Sequence, residues 1–241
     1  MAKQSGMNHR FYVHGYDLSG DIAVINGAGS TSAIQEVTGL DKSAYERIYG
    51  LEDGKLSFNC FFNDASSQEH AALKALPRTD RLIMWLLGVT AGAQVACLLG
   101  KQMDYDWNRG ADGALMGTVN AKGNGYALEW ALLLKVKGTH ASATDETGIN
   151  YGSQTTAGAV GFLQHFSAAS GTVEYDIEDS SDSTNGVDGV WANLLAFTDV
   201  ATPYAPTAER VAVAGTVEKW TRASTNGTFT NAAFSIALKR N

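Results

Sequence analysis

The sequence is poor in cysteine, in long hydrophobic runs and in basic residues, and each shortage excludes a class of protein. Its two cysteines, Cys60 and Cys97, are too few for a disulfide framework, and their apolar neighbours predict inert buried thiols. The longest apolar candidate, residues 81–88, is far shorter than the ~18–20 residues that a membrane-spanning helix requires. Residues 1–10 are polar and lack the apolar core of a secretory signal, so we expect a soluble protein made in the cytoplasm.

The shortage of basic residues limits the kinds of partner. The chain carries 18 lysines and arginines against 25 acidic residues, which gives a formal net charge of −7. An acidic chain without a cluster of lysine and arginine is not expected to bind duplex DNA tightly through its phosphates. The same charge is compatible with a surface along which DNA slides without being held. A hydrophobic share of 44% excludes general disorder, and 26 glycines without heptad periodicity exclude a coiled coil.

Recognisable catalytic and ligand-binding motifs are absent as well. None of the five histidines has a neighbour at metal-ligand spacing, and no nucleophile elbow occurs. The glycine-containing stretches 27–29 and 92–101 lack the spacing of phosphate-binding loops. The acidic stretch 176–188 does not follow the ligand spacing of a calcium loop, which favours a solvated loop. We therefore expect no catalytic residues, no cofactor and no metal ion, and a protein that is not an enzyme.

Alternation of apolar and polar residues predicts a mainly β protein with antiparallel strands. Residues 55–63 alternate and then become solidly apolar, which is typical of a strand that follows the predicted turn at residues 52–54. A short helix is predicted over residues 66–76, where Ser66 and Glu69 have the spacing of a capping box. Pro77 is expected to end this helix, because proline cannot continue it.

Hairpins are predicted in the middle of the chain. Residues 100–134 read as three strands joined by tight turns, and the last turn contains the Asn-Gly pair that favours positive φ. The apolar run 82–87 is compatible with either a buried strand or a helix. Two segments with few large apolar anchors, residues 15–38 and 137–161, are interpreted as long loops.

The last third of the chain carries a second organised stretch. Residues 171–178 alternate like a strand, and residues 179–189 read as a polar, acidic loop. Residues 190–197 place Trp191, Leu194 and Leu195 at helical spacing, which predicts a second short helix. Two final strands, residues 210–221 and 228–238, are expected to be joined by an Asn-Gly turn.

The two halves share this order of elements. Residues 117–119 and 215–217 both read GTV, and each triplet precedes an Asn-Gly turn that opens an apolar strand. The pattern predicts two tandem units, residues 1–137 and 138–241, each an antiparallel β-sandwich or barrel with one short helix. The alternative is that unrelated hairpins share similar turns.

Three segments in the first half resemble the major tail tube proteins of long-tailed bacteriophages. They are residues 39–47 (GLDKSAYER), residues 50–54 (GLEDG) and the strand that ends at residues 62–64 (FND). In that family a Gly-Leu-x-Asp-Gly turn leads into the strand that crosses the tube wall, and a short helix follows. The resemblance covers residues 10–135 directly. It departs from simple tube proteins, which have one tube domain, because this chain has material for two.

The resemblance implies a structural virion protein of the phage tail, made in the host cytoplasm. Its copies would form rings of three or six subunits, stacked into a tube through which genomic DNA passes during ejection. The implied partners are further copies of the chain and other tail proteins, without a membrane span. The long loops would connect neighbouring rings and become ordered only in the assembled tube. The candidate contact residues are Ser142, Thr144, Asp145, Glu146, Asn150, Tyr151, Tyr45 and Arg47.

Two other functions are open at this point. A capsid decoration or cement protein would also be β-rich and oligomeric, without a channel. A carbohydrate-binding module would stack sugars on tryptophans, although the pattern around these side chains favours core or interface positions. The tryptophans are Trp85, Trp107, Trp130, Trp191 and Trp220.

Overall fold

The computed structural model describes residues 6–76 and 79–241, and it is almost entirely β-structure. The mainly β, antiparallel fold class is therefore confirmed. Within the described residues the elements are β1 (Arg10–Val13), β2 (Tyr16–Asp17), β3 (Ile22–Glu36), β4 (Arg47–Phe61), α1 (Glu69–Leu73), β5 (Arg81–Leu86), β6 (Gln94–Gln102), β7 (Asp106–Arg109), β8 (Leu115–Gly123), β9 (Glu129–His140), β10 (Thr144–Asp145), β11 (Ile149–Asn150), β12 (Ala159–Ser167), β13 (Ser170–Ser180), β14 (Ala192–Ala196), β15 (Val200–Ala201), β16 (Thr207–Val213), β17 (Trp220–Thr230) and β18 (Ala232–Arg240). None of the described helical residues forms a segment long and apolar enough to cross a bilayer.

The strands of the described residues form two antiparallel sheets. The first sheet has twelve strands and follows the order β16-β12-β18-β9-β6-β5-β1-β2. A branch leaves this path at β6, where β8 pairs with β6 and also with β4 and β7, and β4 in turn pairs with β3. The second sheet has six strands, in which β17 and β13 form the centre and β10, β11, β14 and β15 flank them.

The first sheet curls around its own apolar face. Successive residues of a strand point to opposite faces of the sheet. In β6, Val95 and Cys97 therefore pack into the apolar cluster inside the curl, whereas Ala96 and Leu98 pack into the cluster on its outer face. Tyr12 of β1 contacts Phe166 of β12, although four strands separate β1 from β12 along the sheet. On its outer face, one part of the curled sheet packs with α1, β4 and β8, and another part packs against the second sheet.

A buried glutamine holds the two ends of the curl together. The side-chain oxygen of Gln164 accepts a hydrogen bond from the backbone N–H of Gly15 at 2.6 Å, and its amide donates to the carbonyl of Leu82 at 2.9 Å. Gly15 has φ +81°, and a β-carbon there would collide with the carbonyl of His165. Glycine is therefore required where the β1–β2 turn meets β12, because only glycine tolerates both the angle and the approach.

The predicted helices are shorter than expected or absent. α1 spans only Glu69–Leu73, and its N-cap is Gln68 without a side-chain capping bond, so the Ser66 capping box is wrong. Pro77 lies outside the described residues. The helix predicted over residues 190–197 is wrong, because this segment pairs with β13 as β14. The ambiguous run 82–87 forms β5, where both of its faces are covered.

Several predicted loops and turns are in fact strands. Most of residues 15–38 forms β3, and residues 137–161 contain the end of β9, the strands β10 and β11 and the start of β12. Residues 52–54 lie inside β4, where Gly54 has no room for a β-carbon beside the backbone of Leu128. Backbone pairing with strands distant in sequence supplies the order that local apolar anchors do not.

The final hairpin turns later than predicted. Asn226 and Gly227 lie inside β17, opposite Glu174 and Val173 of β13. The chain reverses at Asn231, whose φ of +53° is in the left-handed region that asparagine tolerates. The predicted turn is wrong because pairing with β13 continues past the Asn-Gly pair.

The predicted boundary between residues 137 and 138 falls inside β9. The first sheet takes β12, β16 and β18 from beyond that boundary. The helix expected for the second unit is a strand, so the described part of the chain does not repeat strand, helix and hairpin in both halves. The tandem origin of residues 1–137 and 138–241 stays a prediction.

Candidate assembly surface

The most prominent surface feature is the outer part of the β3–β4 hairpin, residues 31–53, which we call the arm. Backbone pairs in this region join β3 only to β4, since pairing of β4 with β8 begins at Lys55. From Ser30 to Glu36 the ribbon extends for about 20 Å at the usual rise of a strand, and the tip loop follows. The base is fixed, because Ser30 accepts a hydrogen bond from the Leu128 N–H at 2.8 Å and Lys122 pairs with Asp53 at 2.9 Å.

The arm exposes large apolar side chains. Leu40 is fully exposed and Leu51 is 89% exposed, whereas side chains of this kind are usually buried. Ile34 and Tyr49 are directly opposite each other in the ribbon, so they share one face. The exposed apolar residues of the arm are Ile34, Val37, Leu40, Tyr45, Ile48, Tyr49 and Leu51. Single exposed apolar residues are common on protein surfaces, but seven within one hairpin are more than its short length would ordinarily carry.

The tip of the arm is held in one shape by its own hydrogen bonds. The Val37 N–H donates to the carbonyl of Glu46 at 2.9 Å, and the Glu46 N–H donates to the hydroxyl of Thr38 at 3.1 Å. Lys42 pairs with Glu46 at 3.3 Å. A preformed tip loses less conformational entropy when it binds a partner.

A cavity of about 470 Å³ lies beside the base of the hairpin, and we call it the root groove. Its apolar walls include the buried ring of Phe11 and the half-exposed side chain of Val24. Arg10 borders this groove and also a second cavity with Tyr12 and Asp17, and its guanidinium donates to the carbonyl of His9 at 3.2 Å. Among residues 6–76 and 79–241, no carboxylate forms an ion pair with Arg10. The residues that line the groove are Gly6, Asn8, His9, Arg10, Phe11, Ser19, Ile22, Ala23, Val24, Ile25 and Trp85.

The contact residues predicted from the sequence fall into two groups. Tyr45 and Arg47 lie on the arm, where the Arg47 guanidinium is 5.1 Å from the centre of the Tyr45 ring. Thr144 and Asp145 form β10 on the edge of β17. These two groups therefore belong to different sheets.

The segment from Ser142 to Tyr151 is ordered by contacts within the chain. Asp145 accepts a hydrogen bond from the Ser224 hydroxyl at 2.6 Å and pairs with Arg222 at 2.7 Å. Asn150 pairs with Trp220 in β11–β17, and Ser142 is exposed. The expectation that this segment becomes ordered only in an assembly is wrong, because β17 supplies its partner.

Glu146 and Tyr151 fix this segment through their side chains. Glu146 lies 2.6 Å from Nε2 of His140 and also pairs with Lys135. The hydrogen bond from His140, together with Lys135, lowers the pKa of Glu146 to about 2. The Tyr151 ring lies 4.5 Å from the Arg240 guanidinium, and burial raises the pKa of its hydroxyl.

Buried titratable groups occur away from these surfaces. The Cys60 thiol lies 3.4 Å from the fully buried carboxyl of Glu69, and burial raises the pKa of both groups. Burial also raises the pKa of Cys97. In the described part of the chain, no three His, Cys, Asp or Glu side chains are grouped so as to hold a metal ion.

The tryptophans lie on separate elements. Trp107 contacts Phe62 and Tyr105 edge to face, and Trp191 lies under the Arg222 guanidinium at 4.3 Å. Trp220 is buried, whereas Trp130 on β9 is half exposed. These environments are typical of packing positions.

Sequence reasoning missed the arm strands and the root groove. Glycine and serine interrupt the alternation of residues 22–36, and β4, which pairs with β3, follows it only after a ten-residue connection. A usable signal is the recurrence of large apolar residues between positions 34 and 51 in an otherwise polar stretch.

Comparison with known proteins gives structural neighbours only. No family model matches the chain, and no curated protein matches it in sequence. A chain in the tail of an empty GTA particle, refined helically with C6 symmetry, is 15% identical, with a TM-score of 0.40 over 53% of this chain and 98% of that one. The Dit protein of phage SPP1 is 12% identical, with a TM-score of 0.33 over 96% of this chain and 98% of that one. A chain of the phage p2 baseplate in its activated conformation is 8% identical, with a TM-score of 0.32 over 97% of this chain and 98% of that one. TM-scores of 0.40 or lower are too low for these likenesses to indicate a function.

Proposed function

We propose that the chain is a structural subunit of a phage-type tail, whose copies bind one another head to tail and stack into a tube. The observation that carries the proposal is the arm, a preformed ribbon with seven exposed apolar side chains. An element of this shape is costly in water as long as it stays uncovered, and a second copy of the chain would cover it. The tube assignment itself comes from the resemblance of residues 39–64 to tail tube proteins.

The outer edge of β3 supports self-assembly independently of the side chains. In the described residues β3 pairs with β4 alone, so its other edge presents backbone groups along a fifteen-residue strand. Natural proteins cover or interrupt such edges, because an open edge pairs with other chains. A closed ring of copies would cover every one of these edges.

The charge of the chain fits a channel for DNA. At a net charge of −7, a lumen formed by many copies would not retain phosphates by counterion release. Genomic DNA would then pass through the tube without binding to its wall. Three copies per ring follow if each chain contributes two tube units, and six follow if it contributes one.

Negative-stain electron microscopy of the purified full chain tests the proposal. We expect rings and long tubes of constant width. Free trimers without a channel would contradict the tail assignment and favour a decoration protein, and monomers at all concentrations would contradict self-assembly.

A pair of matched variants tests the role of the arm. Tyr49→Ser with Leu51→Ser removes two exposed apolar side chains from the arm, and we expect the protein to stay folded but to form no tubes. Val187→Ser with Val190→Ser removes two exposed apolar side chains from the loop before β14, which should leave tubes unchanged. Circular dichroism on the same samples checks that both variants are folded.

A further inference from the structure

We propose that Asn124 is a site of spontaneous covalent modification, at which the Asn124–Gly125 bond rearranges and the asparagine becomes aspartate or isoaspartate. Asparagine is a chemically labile residue. Its conversion requires that the backbone nitrogen of the next residue reach the carbonyl carbon of the side chain, and glycine leaves this approach open because it has no β-carbon. This chemistry concerns a single chain, so it goes beyond the proposed function and does not depend on it.

The reaction consumes water and needs no other reagent. The Gly125 nitrogen forms a bond to Cγ of Asn124 and gives up its proton, while the bond from Cγ to Nδ2 breaks and ammonia leaves. Water then opens the cyclic imide at one of its carbonyl groups. Opening at Cγ gives aspartate, and opening at the backbone carbonyl gives isoaspartate, in which the main chain runs through the former side chain.

The structure leaves this pair exposed and outside the strands. β8 ends at Gly123 and β9 begins at Glu129, and both residues of the pair are exposed to solvent. Gly125 has φ +79°, and a β-carbon at this position would have no atom within 4 Å. In the described ranges, no hydrogen bond is donated by the Gly125 N–H. The attacking nitrogen is therefore accessible, and the ring can close without breaking a strand pair.

The other three Asn-Gly pairs of the sequence are held by the fold. Residues 226–227 pair with β13 in the centre of the second sheet. Gly186 is buried and its N–H donates to the Ser183 hydroxyl at 3.0 Å, so this nitrogen is not free to attack Asn185. Asn26 lies on β3 between residues that pair with β4 on either side. Modification of these pairs first requires local opening of the fold, which is not needed at the turn between β8 and β9.

Conversion of Asn124 would break a contact that holds this turn. The side-chain amide of Asn124 donates to both carboxylate oxygens of Asp80 at 3.0 Å, and Lys101 pairs with the same carboxylate at 2.6 Å. Lys101 and Asn124 lower the pKa of Asp80, which is therefore ionised at neutral pH. Aspartate at position 124 would replace the donor by a second carboxylate, and like charges at this distance repel each other.

The turn also supports the base of the arm. Ser30 accepts a hydrogen bond from the Leu128 N–H at 2.8 Å, and a β-carbon on Gly54 would lie 2.6 Å from the nitrogen of Leu128. Isoaspartate adds a carbon atom to the main chain of the turn and so displaces the residues that follow. Modification of Asn124 therefore loosens the arm at its base as the protein ages.

Peptide mapping by mass spectrometry tests the site. The folded chain is incubated at mildly alkaline pH, and each Asn-Gly peptide is followed for the mass increase that replacement of the amide by a carboxyl group produces. We expect Asn124 to convert about tenfold faster than the asparagines of the three other pairs, because those pairs need local opening. Incubation in urea is the control, since all four pairs should convert at similar rates in the unfolded chain. Equal rates for Asn124 and Asn226 in the folded chain would overturn the inference.

A set of variants tests the consequence for the arm by limited proteolysis. Asn124→Asp should speed cleavage within residues 31–53 by about threefold, because the base of the arm opens more often. Asp80→Asn combined with Asn124→Asp exchanges donor and acceptor and should restore the wild-type rate. Asn108→Asp adds the same charge at an exposed position of β7 and should leave the rate unchanged.

Equal cleavage rates for Asn124→Asp and Asn108→Asp would contradict the effect of the modification on the arm. Neither experiment depends on tube formation, so a failure of the proposed function is seen separately from a failure of this inference.

Discussion

At the scale of single residues, Glu146 shows how a polar segment becomes ordered without a core of its own. One carboxylate joins His140 and Lys135 of β9 to the connection between β10 and β11. His140 is itself buried and its Nδ1 lies 2.8 Å from the Thr225 hydroxyl of β17. The segment is therefore fixed from both sheets, and the stabilisation depends on the ionised form of Glu146.

The lowered pKa of Glu146 predicts that the protein loses stability at acidic pH. Its folded-state value of about 2 is below the ordinary value of 4.5, so the stabilisation is fully present above pH 4.5 and is lost as the pH falls towards 2. We expect Glu146→Gln to lower the free energy of unfolding at pH 7, with a difference from the wild type that shrinks between pH 4.5 and pH 2. Urea unfolding across this range measures the difference, and Glu52→Gln on the exposed arm is the control.

Two buried histidines predict that stability also depends on pH in a higher range. Burial lowers the pKa of His165 to about 4, and burial together with Arg81 lowers that of His14 to about 4. Because the unfolded chain takes up protons near pH 6.5 that the folded chain does not, stability should fall as the pH decreases from 6.5 to 4. Each histidine contributes a slope of up to about 1.4 kcal/mol per pH unit.

His14→Asn should halve the change of the free energy of unfolding with pH that the two histidines produce together, because asparagine does not titrate. Asparagine also tolerates the φ of +47° at this position. Urea unfolding at half-unit steps of pH measures the slope. Identical slopes for the variant and the wild type would show that His14 does not contribute to the pH dependence of stability.

At the scale of elements, one buried polar side chain links the two ends of the first sheet. Gln164 is fully buried and bridges the β1–β2 turn to β5 by hydrogen bonds to Gly15 and Leu82. Replacing it by leucine leaves the Gly15 N–H without its acceptor in a buried site, and an unsatisfied group of this kind costs about 1–3 kcal/mol.

We therefore expect Gln164→Leu to lower the free energy of unfolding by about 1–3 kcal/mol, because the Gly15 N–H loses its acceptor whereas the Leu82 carbonyl still accepts from the His14 N–H at 2.9 Å. Gln94→Leu, on the exposed start of β6, is the matched control and should change stability by less than about 0.5 kcal/mol. Equal unfolding curves for the two variants would contradict a role of Gln164 in closure.

The sequence predicts elements whose pattern is local. Residues 55–63 and 171–178 alternate because one face of each strand enters a core; β4 contains residues 55–61 of the first segment, and β13 contains all of the second. Residues 190–197 were misread because Trp191, Leu194 and Leu195 fit a helical stripe, whereas Leu195 and Phe197 enter the core from a strand. The arm and the β10–β11 segment were missed because their order comes from pairing with distant strands. The root groove depends on three such strands meeting, which no local pattern encodes.

At the scale of the whole molecule, the net charge predicts that assembly depends on ionic strength. Copies that each carry a net charge of −7 repel one another, and salt screens this repulsion. We expect tubes to grow faster as the salt concentration rises from low values. Light scattering follows the growth rates, and rates that fall with added salt would contradict repulsion as the limiting effect.

The position of β18 has a consequence for the time course of synthesis. This strand lies between β12 and β9, and its residue Leu238 pairs with Leu132, about a hundred residues earlier in the chain. While a ribosome is still making residues 232–240, β9 and β12 lack their shared neighbour, and the apolar faces around them stay open. The arm is already complete at that moment. Nascent chains on one messenger therefore carry finished arms beside incomplete sheets. The first sheet can close only after β18 has been made, and until then accidental contacts compete with the correct ones.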